Sequence, residues 1–176
     1  ISPNMITIVG LLAHVPIAWL IATNQYILAA ILLVIFGLFD TLDGSLARLQ
    51  KRDSLKGMLL DASTDRFKEI MLYTGAAYSF VSLGRPYMTI WAVIACGAIL
   101  SLSYFKSNLK TSLSKIKLTA SEVNRLFQDG LLRFEVRMFV LVIGLLSDRL
   151  ILAVMVIAVL STITALERLI KISRKL

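Results

Sequence analysis

Cysteine, histidine and charge are all scarce in this sequence. Of its 176 residues one is a cysteine, Cys96, and one is a histidine, His14. A single cysteine cannot form a disulfide within the chain, and a single histidine cannot supply a histidine-rich metal site. Charged residues make up 17% of the chain, whereas soluble domains carry about 25%. These shortages exclude a disulfide scaffold, a histidine-rich metal centre and an ordinary soluble domain.

Long apolar runs take the place of the missing charge, since 57% of the residues are hydrophobic. No basic region or cleavage site precedes the first run, so no signal peptide is predicted. The net charge of +8 suggests a basic surface against anionic lipid, or a pocket for anionic substrates. Nucleic acid is excluded as a partner because no soluble basic domain exists to hold it.

Six apolar segments approach the length of about 20 residues that a membrane span needs. We predict an all-α integral membrane protein in which these segments are transmembrane helices: Asn4–Thr23, Tyr26–Leu49, Lys56–Leu83, Tyr87–Leu109, Gly130–Leu146 and Leu150–Ile172. A polar segment with several lysines, 110–129, separates the fourth from the fifth. We expect residues 1–176 to form a single domain. Because the chain begins with Ile1 rather than Met, we also expect it to be cut from a longer polypeptide.

Basic residues predict the orientation of these helices. Most lysines and arginines lie in residues 48–56, in residues 106–125 and in the C-terminal tail, whereas Arg85 and Arg149 lie at the opposite ends of the spans. The positive-inside rule then places both termini, and the acidic stretch 40–65, at the cytoplasmic face of the cell membrane.

Four aspartates in this stretch provide the strongest indication of chemistry. Ionisable residues within membrane spans are costly and are read as functional. The four fall at helical spacing on the second and third segments, which a short loop joins, so their carboxylates are expected to face each other between these two helices: Asp40, Asp43, Asp61 and Asp65. Carboxylates brought together in this way need cations, and Mg²⁺ or Mn²⁺ prefers such oxygen ligands. The pattern predicts two divalent ions suited to displacement at phosphorus.

The full spacing is specific enough to indicate a family. The pattern Asp-x2-Asp-Gly-x2-Ala-Arg-x8-Gly-x3-Asp-x3-Asp runs from Asp40 to Asp65 and resembles, without a departure, the signature of the CDP-alcohol phosphotransferase family. The six predicted helices resemble that family as well. The resemblance implies transfer of a substituted phosphoryl group from a CDP-linked alcohol to an acceptor hydroxyl, with release of CMP, in a homodimer embedded in membrane lipid.

The resemblance also implies roles for individual residues. All four aspartates would hold the metal ions, and Asp65 would take the proton of the acceptor. The cytidine diphosphate of the donor would be bound by residues of the motif and of the Pro-Asn-x-x-Thr sequence near the N-terminus, namely Asn4, Thr7, Asp43, Gly44, Ala47, Arg48 and Gly57.

Three further cations indicate the acceptor. Lys106, Arg133 and Arg137 lie at the predicted cytoplasmic ends of the fourth and fifth helices, where they could bind an anionic acceptor. The arrangement resembles family members that use inositol 1-phosphate, including phosphatidylinositol-phosphate, archaetidylinositol-phosphate and di-myo-inositol-phosphate-phosphate synthases. Glycerol 3-phosphate or serine as the acceptor, and a cation-coupled transporter in place of an enzyme, are the alternatives. The donor alcohol stays open between diacylglycerol, archaeol and inositol.

Overall fold

The computed structural model describes residues 3–49, 55–111 and 134–173, and this part of the chain is all-helical. Side chains are described for these residues except 3–6, 39–49, 55–59, 61–62, 106, 109–111 and 172. A short 3-10 helix, Pro86–Met88, joins the third α-helix to the fourth. The α-helices are α1 Pro3–Ala22, α2 Tyr26–Leu49, α3 Leu55–Ser82, α4 Thr89–Thr111, α5 Phe134–Leu146 and α6 Leu150–Ser173.

These helices coincide with the six predicted segments to within two residues, except where α5 begins. The predicted fifth segment starts in residues 112–133, which lie outside the described part, as does most of the polar segment 110–129. Two stretches, Pro86–Phe105 and Leu150–Lys171, are long and apolar enough to cross a membrane by length and composition. Shorter apolar stretches lie at Thr7–Ala22 and Tyr26–Leu38.

Three turns of one type close the helix pairs α1–α2, α3–α4 and α5–α6. In each, a residue with positive φ follows the helix: Asn24 at 62°, Gly84 at 72° and Asp148 at 56°. In the first turn, the Gln25 amide donates to the Leu20 carbonyl at 2.8 Å and the Asn24 amide to the Ile21 carbonyl at 3.0 Å. This pair of bonds caps the helix C-terminus, and the other two turns repeat it.

The three turns lie at one end of the bundle. Asn24 donates through Nδ2 to Ser82 Oγ at 3.1 Å, which brings the first turn against the C-terminal end of α3. Ser79 Oγ donates to Asn24 Oδ1 at 2.7 Å and strengthens this junction. Asp148 lies within electrostatic range of Tyr26, which places the third turn nearby. The opposite end therefore gathers the starts of α1, α3 and α5 and the ends of α2, α4 and α6.

The helices form a closed ring through their main contacts, in the order α1, α3, α4, α6, α5, α2 and back to α1. Small side chains allow neighbouring helices of this ring to approach closely. A methyl group on Gly75 would lie 2.5 Å from the Ala18 carbonyl oxygen, and one on Gly144 would meet the Ala153 side chain. Large buried apolar side chains of the interior come from α1, α3, α4, α5 and α6 and include Ile17, Leu72, Phe80, Ile99, Leu141 and Ile157.

Large apolar side chains also cover the outside of the bundle. Trp19 is 70% exposed and Phe139 is 65% exposed, and many leucines, isoleucines and valines are exposed around the ring. Exposure of apolar surface on this scale is typical of a surface that meets lipid. Several charged side chains are buried instead, among them Lys68, Glu69 and Arg137.

Candidate active site

The end of the bundle opposite the three turns carries the residues that the sequence motifs assigned to the site, so far as they lie on described helices. This follows from the direction of each helix, because helices that alternate in direction bring their starts and ends together. Two of these assigned residues have described side chains on α3 and α5, Asp65 and Arg137. The Thr7 side chain, near the start of α1, is half-buried.

Asp65 has the exposure that a proton acceptor needs. Its side chain lies on α3 and is 30% exposed, and its Oδ1 is 3.7 Å from the ammonium nitrogen of Lys68. Lys68 itself is almost fully buried at 2%. The buried ammonium group of Lys68 therefore lies directly beside the partly exposed carboxylate of Asp65.

Glu69, one turn beyond Asp65 on α3, holds the best-defined polar contact of this end. Arg137 of α5 donates to Glu69 Oε1 through Nε at 2.9 Å and through Nη2 at 2.7 Å. Arg66 Nη1 donates to the other carboxylate oxygen, Oε2, at 2.6 Å. Glu69 is 2% exposed and Arg137 is 5% exposed. The contact joins α3 to α5 inside the bundle.

Glu69 was not among the residues that the sequence motif assigned to the site. The Arg66 pair is present, at the i, i+3 spacing that a helix predicts. The bond to Arg137 was missed because its partners are 68 residues apart. The only sequence feature that could have indicated a role for Glu69 was its position: it is an acidic residue one turn beyond Asp65, and the motif does not include it.

Arg168, near the end of α6, is a second residue that sequence reasoning missed. It is half-buried and lies within electrostatic range of Arg137. Its neighbours Glu167 and Lys171 form an exposed ion pair at 2.5 Å. Arg137 and Arg168 therefore bring two guanidinium groups to the same end of the α5–α6 pair.

The remaining assigned residues fall where side chains are not described. Arg133 lies outside the described residues altogether. The others occupy described helix positions, and their side chains are not described: Asn4 on α1, Asp40, Asp43, Gly44, Ala47 and Arg48 on α2, Gly57 and Asp61 on α3, and Lys106 on α4. Among the side chains that are described, no group of three His, Cys, Asp or Glu residues gathers as a metal site would require. Their assignments stay predictions.

The helix positions of the four aspartates suit a divalent metal. Helix α2 continues without a break through Asp40 and Asp43, and α3 through Asp61 and Asp65. Each pair therefore spans about one helical turn, a spacing at which two carboxylates can share one ion. A set of carboxylate oxygens is the donor chemistry that Mg²⁺ and Mn²⁺ prefer. The only histidine of the sequence, His14, lies on α1, and its ring nitrogen Nδ1 is 2.7 Å from the Gly10 carbonyl oxygen.

Comparison with known protein families decides the class. The family model for CDP-alcohol phosphatidyltransferases matches residues 1–166. The chain belongs to the CDP-alcohol phosphatidyltransferase family. The resemblance drawn from the aspartate motif is thereby confirmed, and a transporter is left without support.

Relatives within the CDP-alcohol phosphatidyltransferase family carry inositol phosphate in their names. The phosphatidylinositol phosphate synthase of Cutibacterium acnes is 29% identical over 115 residues, which are 63% of this chain and 55% of that protein. The chain thus spans about half the length of that relative. The archaetidylinositol phosphate synthase of Pyrococcus horikoshii is 27% identical over 176 residues, which are 100% of this chain and 86% of that protein.

Solved structures of the family share the fold. The crystal structure of Mycobacterium tuberculosis phosphatidylinositol phosphate synthase with CDP-DAG bound has a TM-score of 0.79 and 24% identity, over 96% of this chain and 85% of that one. The same protein in complex with manganese and citrate has a TM-score of 0.78 and 25% identity, over 96% and 81%. The helical fold predicted from the sequence is therefore the fold of a CDP-alcohol phosphatidyltransferase.

Proposed function

We propose that this protein transfers a substituted phosphoryl group from a CDP-linked alcohol to a hydroxyl of inositol 1-phosphate and releases CMP. The acceptor oxygen attacks the phosphorus that carries the alcohol, and the bond from this phosphorus to the oxygen of the CMP phosphate breaks. The acceptor proton passes to Asp65, and CMP leaves with the bonding electrons. The product is a phosphodiester between the alcohol and inositol phosphate.

One observation carries this proposal: the two halves of the aspartate motif lie on two unbroken helices, α2 and α3, whose motif-bearing ends share one end of the bundle. A family match across residues 1–166 supports it. Direct displacement requires positioning and charge stabilisation rather than a covalent enzyme intermediate. A site built mainly from carboxylates, cations and small residues meets that requirement.

The residues divide into three groups by role, and the first two serve the metal and the donor. Asp40, Asp43, Asp61 and Asp65 hold Mg²⁺ or Mn²⁺, and two ions are proposed because four carboxylates are available. When bound, such ions neutralise the charge of the pyrophosphate and stabilise the leaving group. Small motif residues admit the donor to the helix backbone, and the nucleotide is bound by Asn4, Thr7, Asp43, Gly44, Ala47, Arg48 and Gly57.

The third group binds the acceptor phosphate and consists of cations near and on the helices α4, α5 and α6. Lys106, Arg133 and Arg137 are the candidates from the sequence, and Arg168 joins them because it lies within electrostatic range of Arg137. Guanidinium groups suit a phosphate because their donors match its oxygens in pairs. Two relatives named for inositol phosphate products support inositol 1-phosphate as the acceptor.

The proposed setting is the cell membrane. All six helices cross it, both termini and the site face the cytoplasm, and the protein forms a homodimer in contact with membrane lipid. Exposed apolar side chains around the ring support this setting. The donor alcohol is a lipid, diacylglycerol or archaeol, since the site opens among helices that lipid surrounds.

Release of CMP by the purified protein tests the proposal. CDP-diacylglycerol, CDP-archaeol and CDP-inositol would each be paired with inositol 1-phosphate, glycerol 3-phosphate or serine in the presence of Mn²⁺. We expect CMP with inositol 1-phosphate and a lipid donor. CMP release only with glycerol 3-phosphate or serine would show that the acceptor is not inositol 1-phosphate. If folded protein releases CMP with none of the pairs, the proposed activity is wrong.

A further inference from the structure

We propose that Glu69 is a positioning residue that fixes the guanidinium group of Arg137 and thereby sets how far the acceptor phosphate lies from Asp65. The proposal rests on the function proposed above. It assigns to Glu69 a part in selecting the acceptor, in addition to joining two helices.

The contacts around Glu69 hold both of its oxygens. Oε1 accepts two bonds from Arg137, through Nε and Nη2, and Oε2 accepts one bond from Arg66. Two donors on one acceptor fix the plane of the Arg137 guanidinium, while the bond from Arg66 prevents rotation of the carboxylate. The ring of Phe134 lies near the same guanidinium, 6.0 Å from its central carbon. The contacts with Glu69 and Phe134 therefore fix the orientation of the Arg137 guanidinium group.

The cations of this cluster suit an anion. Arg66 and Arg137 reach Glu69 from two different helices, and Arg168 lies within electrostatic range of Arg137 from a third. Buried ion pairs are seldom more stable than apolar packing of the same volume. Stability alone is thus a poor reason for a buried pair at this place, and binding of an anionic acceptor supplies a better one.

The positions of Asp65 and Glu69 on α3 set the distance between the Asp65 carboxylate and the contact of Glu69 with Arg137. Asp65 and Glu69 are four residues apart, a rise of about 6 Å along the helix axis. Because Arg137 is bonded to Glu69, the cation for the phosphate and the carboxylate for the hydroxyl are both held by one rigid helix, about one turn apart. An acceptor must bridge this spacing with its phosphate at one end and its reacting hydroxyl at the other. A phosphorylated polyol ring meets this condition, and serine, which has no phosphate, does not.

Four variants and one control test the proposal: Glu69→Gln, Glu69→Asp, Arg137→Lys, the double variant Glu69→Gln/Arg137→Lys, and Glu167→Gln. Glu167 is the matched control because it is an acidic residue in an exposed pair with Lys171. For each we would measure the KM of inositol 1-phosphate, the KM of the lipid donor, kcat and the thermal midpoint.

Glu69→Gln is expected to raise the acceptor KM about 10-fold to 100-fold, the size of a lost charge-assisted bond, and to leave the donor KM unchanged. Glu69→Asp keeps the negative charge, so its acceptor KM should lie between that of Glu69→Gln and that of the unchanged protein. Effects of Glu69→Gln and Arg137→Lys should not add in the double variant, because both act through one guanidinium. Equal loss of donor and acceptor affinity, or additive effects, would overturn positioning and leave a structural role.

The proposed function and this inference can fail separately. If none of the donor and acceptor pairs yields CMP with the unchanged protein, the proposed function fails. The inference is then tested by calorimetric binding of inositol 1-phosphate alone. Binding that is weakened by Glu69→Gln and not by Glu167→Gln supports the inference. The inference is overturned if inositol 1-phosphate binds equally to the unchanged protein, Glu69→Gln and Glu167→Gln, or if it does not bind to the unchanged protein.

Discussion

Gly75 of α3 passes so close to Ala18 of α1 that a β-carbon on it would lie 2.5 Å from the Ala18 carbonyl oxygen. Backbone cannot yield as a side chain can, so the contact admits glycine alone. The packing of α1 on α3 is the most extensive between any two described helices. Since α3 carries Asp65 and Glu69, the seating of α3 against α1 helps to fix the site at its far end.

Gly75→Ala is expected to lower the free energy of unfolding by about 1–3 kcal/mol, the usual cost of overpacking. Thermal unfolding in detergent measures this. Gly97→Ala is the matched control, because a β-carbon on Gly97 of α4 would meet nothing within 4 Å. Equal midpoints for the two variants would show that α1 and α3 separate without difficulty.

Asp65→Asn is expected to leave the fold intact and to reduce CMP release about 100-fold or more, as loss of a general base does. The amide is nearly the same size as the carboxylate but cannot accept the acceptor proton. Asp148→Asn provides the control, because Asp148 lies in the third turn at the opposite end, where asparagine also tolerates its positive φ of 56°. A fully active Asp65→Asn would exclude Asp65 as the base.

Removal of the divalent metal should stop CMP release and lower the thermal midpoint, because four carboxylates would then repel one another. Restoring Mn²⁺ at about 100 times its Kd should raise the midpoint by about 5–10 °C. In Asp40→Asn, which has one carboxylate fewer, we expect a higher midpoint without metal and a smaller rise with it. If Mn²⁺ does not change the thermal midpoint of the unchanged protein, the folded chain has no such metal site.

Gly84→Ala should lower the free energy of unfolding by about 1 kcal/mol, because its backbone adopts a conformation that alanine disfavours. The φ of Gly84 is 72°, and a β-carbon placed on it would meet nothing within 4 Å, so the cost is conformational and not steric. Gly84→Asn should cost less, because asparagine visits this conformation readily and Asn24 already does so in the first turn. Chemical denaturation of both variants would distinguish them, and an equal cost would mean that side-chain solvation, not φ, decides.

Local patterns predicted most of the fold. Apolar length and turn residues located the six helices, because the ends at Asn24, Gly84 and Asp148 are set by residues that adopt positive φ. The order of the helices around the ring was not predicted. In it α1 lies between α2 and α3 through its contacts with both. Face-to-face placement of α2 and α3 at their acidic ends concerns side chains that are not described, and it stays a prediction.

The site divides in the same way between local and distant information. The motif named the four aspartates because their spacing is itself the signal. Glu69 and Arg137 meet across 68 residues of sequence, and no periodicity within either helix indicates which partner each takes. Arg168 was read with the C-terminal charges, since only the antiparallel pairing of α5 and α6 brings it near Arg137.

Each of the three closing turns joins two helices that are neighbours both in sequence and in the ring. Each joins two helices that pack on each other, so every hairpin finds its partner as soon as its second helix has been made. Such short-range closure costs little chain entropy. The bond from Glu69 to Arg137 instead joins the second hairpin to the third and must wait for α5. A chain that stops before α5 therefore carries the whole aspartate motif and lacks Arg137.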